Sequence, residues 1–353
     1  MRMRESFTPM SSLEPLILEP TLTPAIWGGS ALVKTYGKSG DPTALLGESW
    51  ECWDANRVRT SDGHVETLAQ ARAQMGSALM GPLDPTQPFP ILTKIIDAKQ
   101  ALSVQVHPDD AYAQRVEHQR NGKAECWYVL AAVPGAELVL GWTRDTTRDE
   151  YERRVADGTL GDLLRRVPVA SGDAFYLPAG TLHAIGAGIQ LFETQQTSDL
   201  TYRIFDWNRV GADGKPRELH VSKAADVLDF QARNQMAIEQ LRLTADGIER
   251  TLLIADRRFL VERIAVPGAS GTYRTHNRPV TMTACASEVL VRVGSDVQTL
   301  APYQTIVVPA GIASVEIIAP GNLLVATPDP DLAALRAQAG ADGNTFFAQF
   351  DGR

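Results

Sequence analysis

Short apolar runs rich in β-branched residues recur along the chain at 91–96, 102–106, 127–132 and 306–308, separated by glycine and proline. Such runs are too short for helices that cross a core and have the length of strands, so the rhythm predicts an antiparallel all-β architecture with helical decorations. The helical patterns are fewer. One spans 65–80. A second spans 109–120 behind Pro108, read as a first-turn proline. A third spans 147–166 and is opened by a Thr147-x-x-Glu150 capping box. A polar stretch of helical character over 222–241 separates a motif-rich first part from a plainer, strand-dominated last part. This places a boundary near residue 240, with domains at 1–240 and 241–353, and 329–340 reads as a short terminal helix.

Composition narrows the classes. The 353 residues are 44% apolar, enough to build real cores, and acidic side chains outnumber basic ones 42 to 34 for a net charge of −8. A binder of nucleic-acid backbone needs a basic face, so nucleic acid is not an expected partner. No run approaches 18 apolar residues and the N-terminus lacks a secretory apolar core, so neither membrane insertion nor secretion is expected. Cys52, Cys126 and Cys285 are odd in number, far apart and in no CxxC pair, which predicts free thiols in a reducing cytoplasm.

The sharpest local signal is Gly172-x5-Pro178-Ala-Gly180-x2-His183, in which a strand runs into a turn and delivers one histidine at a fixed distance. This spacing resembles the second cupin motif. A plain turn followed by a buried histidine would look the same, so the partners decide. In the stretch 103–107, a period of two puts Ser103, Gln105 and His107 on one face and two valines on the other. In 123–129 the same period groups Lys123, Glu125 and Trp127. Gln105, His107, Glu125 and His183 together would make a mixed oxygen and nitrogen set for one zinc ion per chain, with a position left open to water or substrate. The second half repeats the turn at Pro309-Ala310-Gly311 but has Ser314 where the histidine would fall, so a second, smaller, metal-free barrel is expected there. His64, His118, His220 and His276 lack neighbours at ligand spacing and read as surface or loop residues.

The runs IWGGSAL, GESWE, LTKIIDAKQALSVQVHPDD, GKAECWYVL, LPAGTLHAIG and QTSDLTYRIFDW, in this order over about residues 20–220, resemble type I mannose-6-phosphate isomerases, particularly their shorter bacterial form. The resemblance implies two cupin-type (jelly-roll) barrels, the N-terminal one carrying the metal, and zinc ligands at Gln105, His107, Glu125 and His183. It further implies a catalytic or phosphate-holding Arg203, and a substrate pocket lined by Lys94, Ser103, Lys123, Glu193 and Asp199. The chain has no Walker loop and no dinucleotide glycine fingerprint, so a phosphate must be held by side chains, for which Lys94, Ser103 and Arg203 are the choices. The implied reaction interconverts mannose 6-phosphate and fructose 6-phosphate through a cis-enediol(ate). Its base is open between Glu193 and a zinc-bound water, and Asp199 or Lys123 could shuttle protons during ring opening. The chain departs from the cupin pattern at Ala187, where an asparagine is usual, and carries Gln105-x-His107 in place of a His-x-His pair. The competing readings are a zinc cupin isomerase of a related free or phosphorylated sugar, and a non-catalytic carbohydrate-binding regulator.

Overall fold

The computed structural model describes residues 13–59, 65–210, 214–233, 237–318 and 321–351, which leaves His64 outside the described residues. Two pairs of antiparallel sheets, each enclosing its own core, make up the molecule. In the first pair, a six-stranded sheet runs in the order Ala174–Leu177, Glu125–Ala132, Ile189–Gln196, Ile91–Ala98, Thr21–Gly29, Leu46–Cys52. It faces a five-stranded sheet ordered Leu164–Pro168, Glu137–Trp142, His183–Ala184, Val104–Val106, Tyr202–Phe205. Trp127, Val129 and Leu191 of the first meet Leu138, Leu140 and Ile185 of the second in one apolar cluster between them.

The second pair sets a four-stranded sheet against a nine-stranded one, and Tyr273, Val291 and Ile317 pack there on Ile264, Met282 and Val325. The nine-stranded sheet is not drawn from the C-terminal part alone. Leu16–Glu19 pairs with Thr305–Val308, and Arg57–Arg59 and Val65–Thr67 extend that edge, so three strands from the start of the chain complete a sheet whose other six lie beyond residue 240.

The two units share a third apolar layer. Ile95, Cys126 and Phe192, on the back of the six-stranded sheet, join Leu252, Ile254 and Val261 of the nine-stranded sheet and Phe346, Phe347 and Phe350 near the C-terminus. Every residue of Ile91–Ala98 is therefore buried. A strand covered on both faces is expected to be apolar on both, and 91–96 is so except at Thr93 and Lys94, of which Lys94 faces the candidate active site.

The helices depart from the sequence reading. The stretch 65–80 divides into a strand, a helix Leu68–Met75 and a turn Ser77–Met80, broken at Gly76, whose φ of 54° no helix accommodates. The second helix is Asp110–Val116, capped by the Asp109 side chain, so Pro108 lies outside it. At 147–166 only Arg148–Ala156 is α-helical, and the chain continues as a 3-10 turn and a strand. Thr147 caps this helix, but the Glu150 carboxylate is drawn to Arg144 instead of closing the box. Among the described residues of 222–241, helix is confined to Val221–Val227. Both Arg148–Ala156 and Val221–Val227 cover the outside of the five-stranded sheet through Tyr151, Ala224 and Ala225. After the terminal helix Leu332–Ala339, a further short helix, Asn344–Ala348, carries the phenylalanines of the shared layer.

Candidate active site

The site lies between the two sheets of the first pair. His183 pairs with Gln105 on one side and Leu140 on the other, at the middle of the five-stranded sheet. Its position depends on the turn before it. Gly180 has φ of 85°, its N–H donates to the His107 carbonyl at 2.9 Å, and an added Cβ would stand 2.9 Å from the Val227 carbonyl oxygen. Only glycine fits, and the turn ties together the strands that carry the two histidines. Glu125 opens a strand of the opposite sheet, between Leu177 and Gln195.

His107, Glu125 and His183 are buried, and their potential ligand atoms all lie within 4.8 Å of one another. Each histidine Nδ1 meets a backbone carbonyl, Leu200 O at 2.7 Å from His107 and Thr181 O at 2.9 Å from His183. A carbonyl can only accept, so the proton is on Nδ1 and both Nε2 atoms present lone pairs. Burial, followed by the Lys123 charge, pushes His107 down to about 3; burial likewise lowers His183. Both rings are therefore neutral. Their Nε2 atoms stand 3.3 and 3.5 Å from the Glu125 oxygens, neither of which receives a well-aligned hydrogen bond. The Gln105 amide lies 3.3 Å from His183 Nε2, and a half-turn of its last torsion presents Oε1 there.

Lone pairs converging on lone pairs repel unless a cation sits among them. The Lys123 ammonium approaches from the edge, 2.7 Å from Glu125 Oε1 and 3.3 Å from His107 Nε2. Burial alone would raise Glu125, but the Lys123 ammonium beside it outweighs burial and holds the carboxyl below its usual range. Two neutral imidazoles and a carboxylate with their ligand atoms this close together fit a divalent metal ion, and the Gln105 amide oxygen could join them.

A second group adjoins it. Trp127 and Lys94 flank Glu193 across their strands; the Trp127 indole donates to Glu193 Oε2 at 2.7 Å, and Lys94 Nζ lies 3.4 Å from Glu193 and 3.4 Å from Glu48. Glu193 Oε1 is buried and accepts no hydrogen bond, with Lys94 Nζ 3.4 Å away, and burial, then the Glu125 charge, holds this carboxyl above its ordinary value. Lys94 rests over the Trp50 ring, whose indole donates to Glu48 at 2.6 Å. For Glu48 these partners outweigh burial and lower its pKa.

The chain matches the model of the catalytic domain of type I phosphomannose isomerase over residues 16–130. It is 42% identical over 267 residues to a mannose-6-phosphate isomerase of Bacillus subtilis, covering 73% of this chain and 81% of that protein. To the mannose-6-phosphate isomerase of Streptococcus mutans it is 38% identical over 265 residues, covering 72% and 80%. The chain belongs to the type I phosphomannose isomerase family. The crystal structure of mannose 6-phosphate isomerase from Bacillus subtilis superposes with a TM-score of 0.80 at 28% identity, over 88% of this chain and 99% of that one. The cupin-type fold expected from the sequence is thereby shown.

In this family member Arg203 lies directly across from Gln105, so both project from one face of the five-stranded sheet. Its Nη1 donates to the Glu218 carbonyl at 3.0 Å, while its buried Nε has no partner. Ser103 is buried just ahead of the Gln105 strand. Asp199 differs from the rest: it is exposed on the loop after Ile189–Gln196 and makes no side-chain hydrogen bond or ion pair to the cluster. Three neighbours were missed by the sequence reading. Glu48 and Trp50 stand in the GESWE run without any periodic signal of their own. His220, expected on the surface or in a loop, stands in the loop before Val221–Val227, where it accepts from the Arg203 backbone N–H at Nδ1 and its backbone N–H donates to the Arg203 carbonyl, fixing that strand's edge. His118 and His276 are exposed.

Proposed function

We propose that this chain interconverts mannose 6-phosphate and fructose 6-phosphate, with one zinc ion held by Gln105, His107, Glu125 and His183. The observation that carries the reading is the buried His107–Glu125–His183 cluster lying beside a second buried carboxyl, Glu193, whose proton affinity is raised. The metal, when bound, supplies Lewis-acid polarisation of the sugar oxygens at C1 and C2.

The side chains do the rest. Glu193 takes the C2 proton of the open-chain aldose and returns it to C1, while the O2 hydroxyl proton passes to O1 by way of Lys123, leaving the ketose; the raised pKa of Glu193 brings it nearer to working pH, where a general base is most effective. Trp127 holds its Oε2 and Lys94 stands beside its Oε1, which together fix the direction of the carboxyl. Lys123 moves a proton at the sugar hydroxyls during ring opening. Asp199 would have to be brought in by a movement of its loop, so the geometry favours Glu193 over it as the base. Arg203, with its unpartnered Nε facing the Gln105 side, stabilises the negative charge that develops on the enediolate oxygens. Ser103 is assigned to the phosphate end of the substrate. Lys94, already balanced by Glu48 and Glu193, is assigned to the substrate pocket through its hold on Glu193.

The test is a coupled isomerase assay on mannose, mannose 6-phosphate and glucose 6-phosphate, before and after verified metal removal. Turnover of mannose 6-phosphate that disappears on chelation and returns with zinc is the expected result. Undiminished turnover after removal overturns the metal assignment, and preference for another sugar overturns the substrate.

A further inference from the structure

The second sheet pair, which the sequence marks as metal-free, holds a cavity of about 560 Å³ between its mouth and the helix Leu332–Ala339. Its lining falls entirely within residues 245–338, so it shares nothing with the His107–Glu125–His183 cluster. The size is within the range that takes small organic ligands.

Polar groups concentrate at this place in an otherwise apolar barrel. Arg250, Tyr273 and Thr327 line the cavity and are buried, over a fully buried Glu262. Arg250 Nε donates to Glu262 Oε1 at 2.7 Å and Nη1 to Gln338 at 3.0 Å, while Tyr273 donates to Glu262 Oε2 at 2.9 Å. A guanidinium has five N–H groups, so Arg250 keeps donors to spare, and the Tyr273 and Thr327 hydroxyls keep lone pairs. Burying such a network costs desolvation that an apolar residue of equal volume would avoid, so packing alone does not account for it. The space is also preserved by small residues, Ala245 and Ala334, where longer side chains would fill it.

Charge decides what kind of ligand fits. Every guanidinium on the wall already has a carboxylate: Arg250 has Glu262 at 2.6 Å, Arg274 has Asp246 at 2.8 Å, and Arg278 has Asp329 at 3.2 Å. No net positive field remains to select an anion. What the wall offers is donors and acceptors side by side, together with an apolar surface from Ile248, Leu260 and Leu335. A sugar hydroxyl both donates and accepts, and the C–H face of a sugar ring lies against apolar side chains. We infer that the C-terminal barrel carries a second ligand site for a small neutral carbohydrate, a mono- or disaccharide, independent of the catalytic site.

Saturation-transfer NMR on the full chain with mannose, glucose and maltose, and with inorganic phosphate as the anionic probe, tests this. The wild type and a His183→Ala variant should bind at least one of the sugars alike, because the second site does not use His183. Ala334→Trp, on an exposed helix position, should fill the cavity and weaken binding tenfold or more, and Thr327→Val should weaken it in the same direction. Ala334→Trp also keeps the test open if the buried change at Thr327 prevents folding. Sugar binding that is absent from the wild type, that survives Ala334→Trp, or that disappears with His183→Ala overturns the inference. Binding of phosphate in place of the sugars overturns the neutral ligand class.

Discussion

The two barrels contain the same tripeptide turn and put it to different uses. Pro178-Ala-Gly180 leads to His183, buried at the centre of a sheet between Gln105 and Leu140. Pro309-Ala310-Gly311 leads to Ser314, exposed and paired with Arg274 in the outer four-stranded sheet. Gly180 has a positive φ and meets backbone; Gly311 does not have one, and a Cβ there would meet first the end of the Leu13 side chain. A Pro-Ala-Gly turn is thus a way of reversing a chain. It becomes part of a ligand set only where the next strand faces Gln105 on its own sheet and Glu125 on the opposite one. Among the described residues, the second sheet pair, built from Ile264, Met282, Val291 and Ile317 around the Glu262 network, brings together no such set of histidine and carboxylate ligands.

The comparison can be broken most severely at the ligands. His107→Ala and His183→Ala should each lose bound metal and turnover together, measured by metal analysis and the coupled assay; full metal content in either variant would show that the ligand is misassigned. Next comes Arg203→Ala, expected to lower kcat and kcat/KM together by about 10²-fold, the scale of a lost oxyanion donor. A rise in KM alone would move Arg203 to the phosphate. For Lys94→Ala the ion pairs with Glu48 and Glu193 predict a fall in kcat, whereas a change confined to KM for mannose 6-phosphate would make it a phosphate ligand. Gly180→Ala should cost about 1–3 kcal/mol in denaturant unfolding, because alanine must take a positive φ beside the Val227 carbonyl. Gly311→Ala should cost less, since the Leu13 side chain can move, and equal costs would erase the distinction between the turns. Smallest of all is Ser314→Ala, expected to leave metal content and rate unchanged and stability within about 0.5 kcal/mol, as for an exposed hydroxyl.

The candidate ligands were legible because each stands in a short segment with its own signature: alternation around Gln105 and His107, a turn before His183. Glu48 and Trp50 were not, since they come to Glu193 through a strand that pairs with Ile91–Ala98, and nothing local announces that pairing. The helices failed for a similar reason. In 65–80 the apolar spacing suits a helix throughout, but Val65–Thr67 is recruited by Arg57–Arg59 into a sheet, and tertiary pairing overrides local preference. Beyond Ala156 the chain is needed as the edge of the five-stranded sheet, so it leaves the helix early.

Leu16 lies opposite Val307, roughly 290 residues away along the chain. During synthesis Leu16–Glu19 can therefore pair with Arg57–Arg59 on one edge long before Thr305–Val308 exists to cover the other. Contacts of such separation are the slow ones in folding, and unpaired strand edges invite pairing with other chains. The sheets around His183 draw on residues up to Phe205 and can close earlier. The seam between Leu16–Glu19 and Thr305–Val308 thus cannot close until the C-terminal part is made, which exposes it to truncation and to chaperone demand.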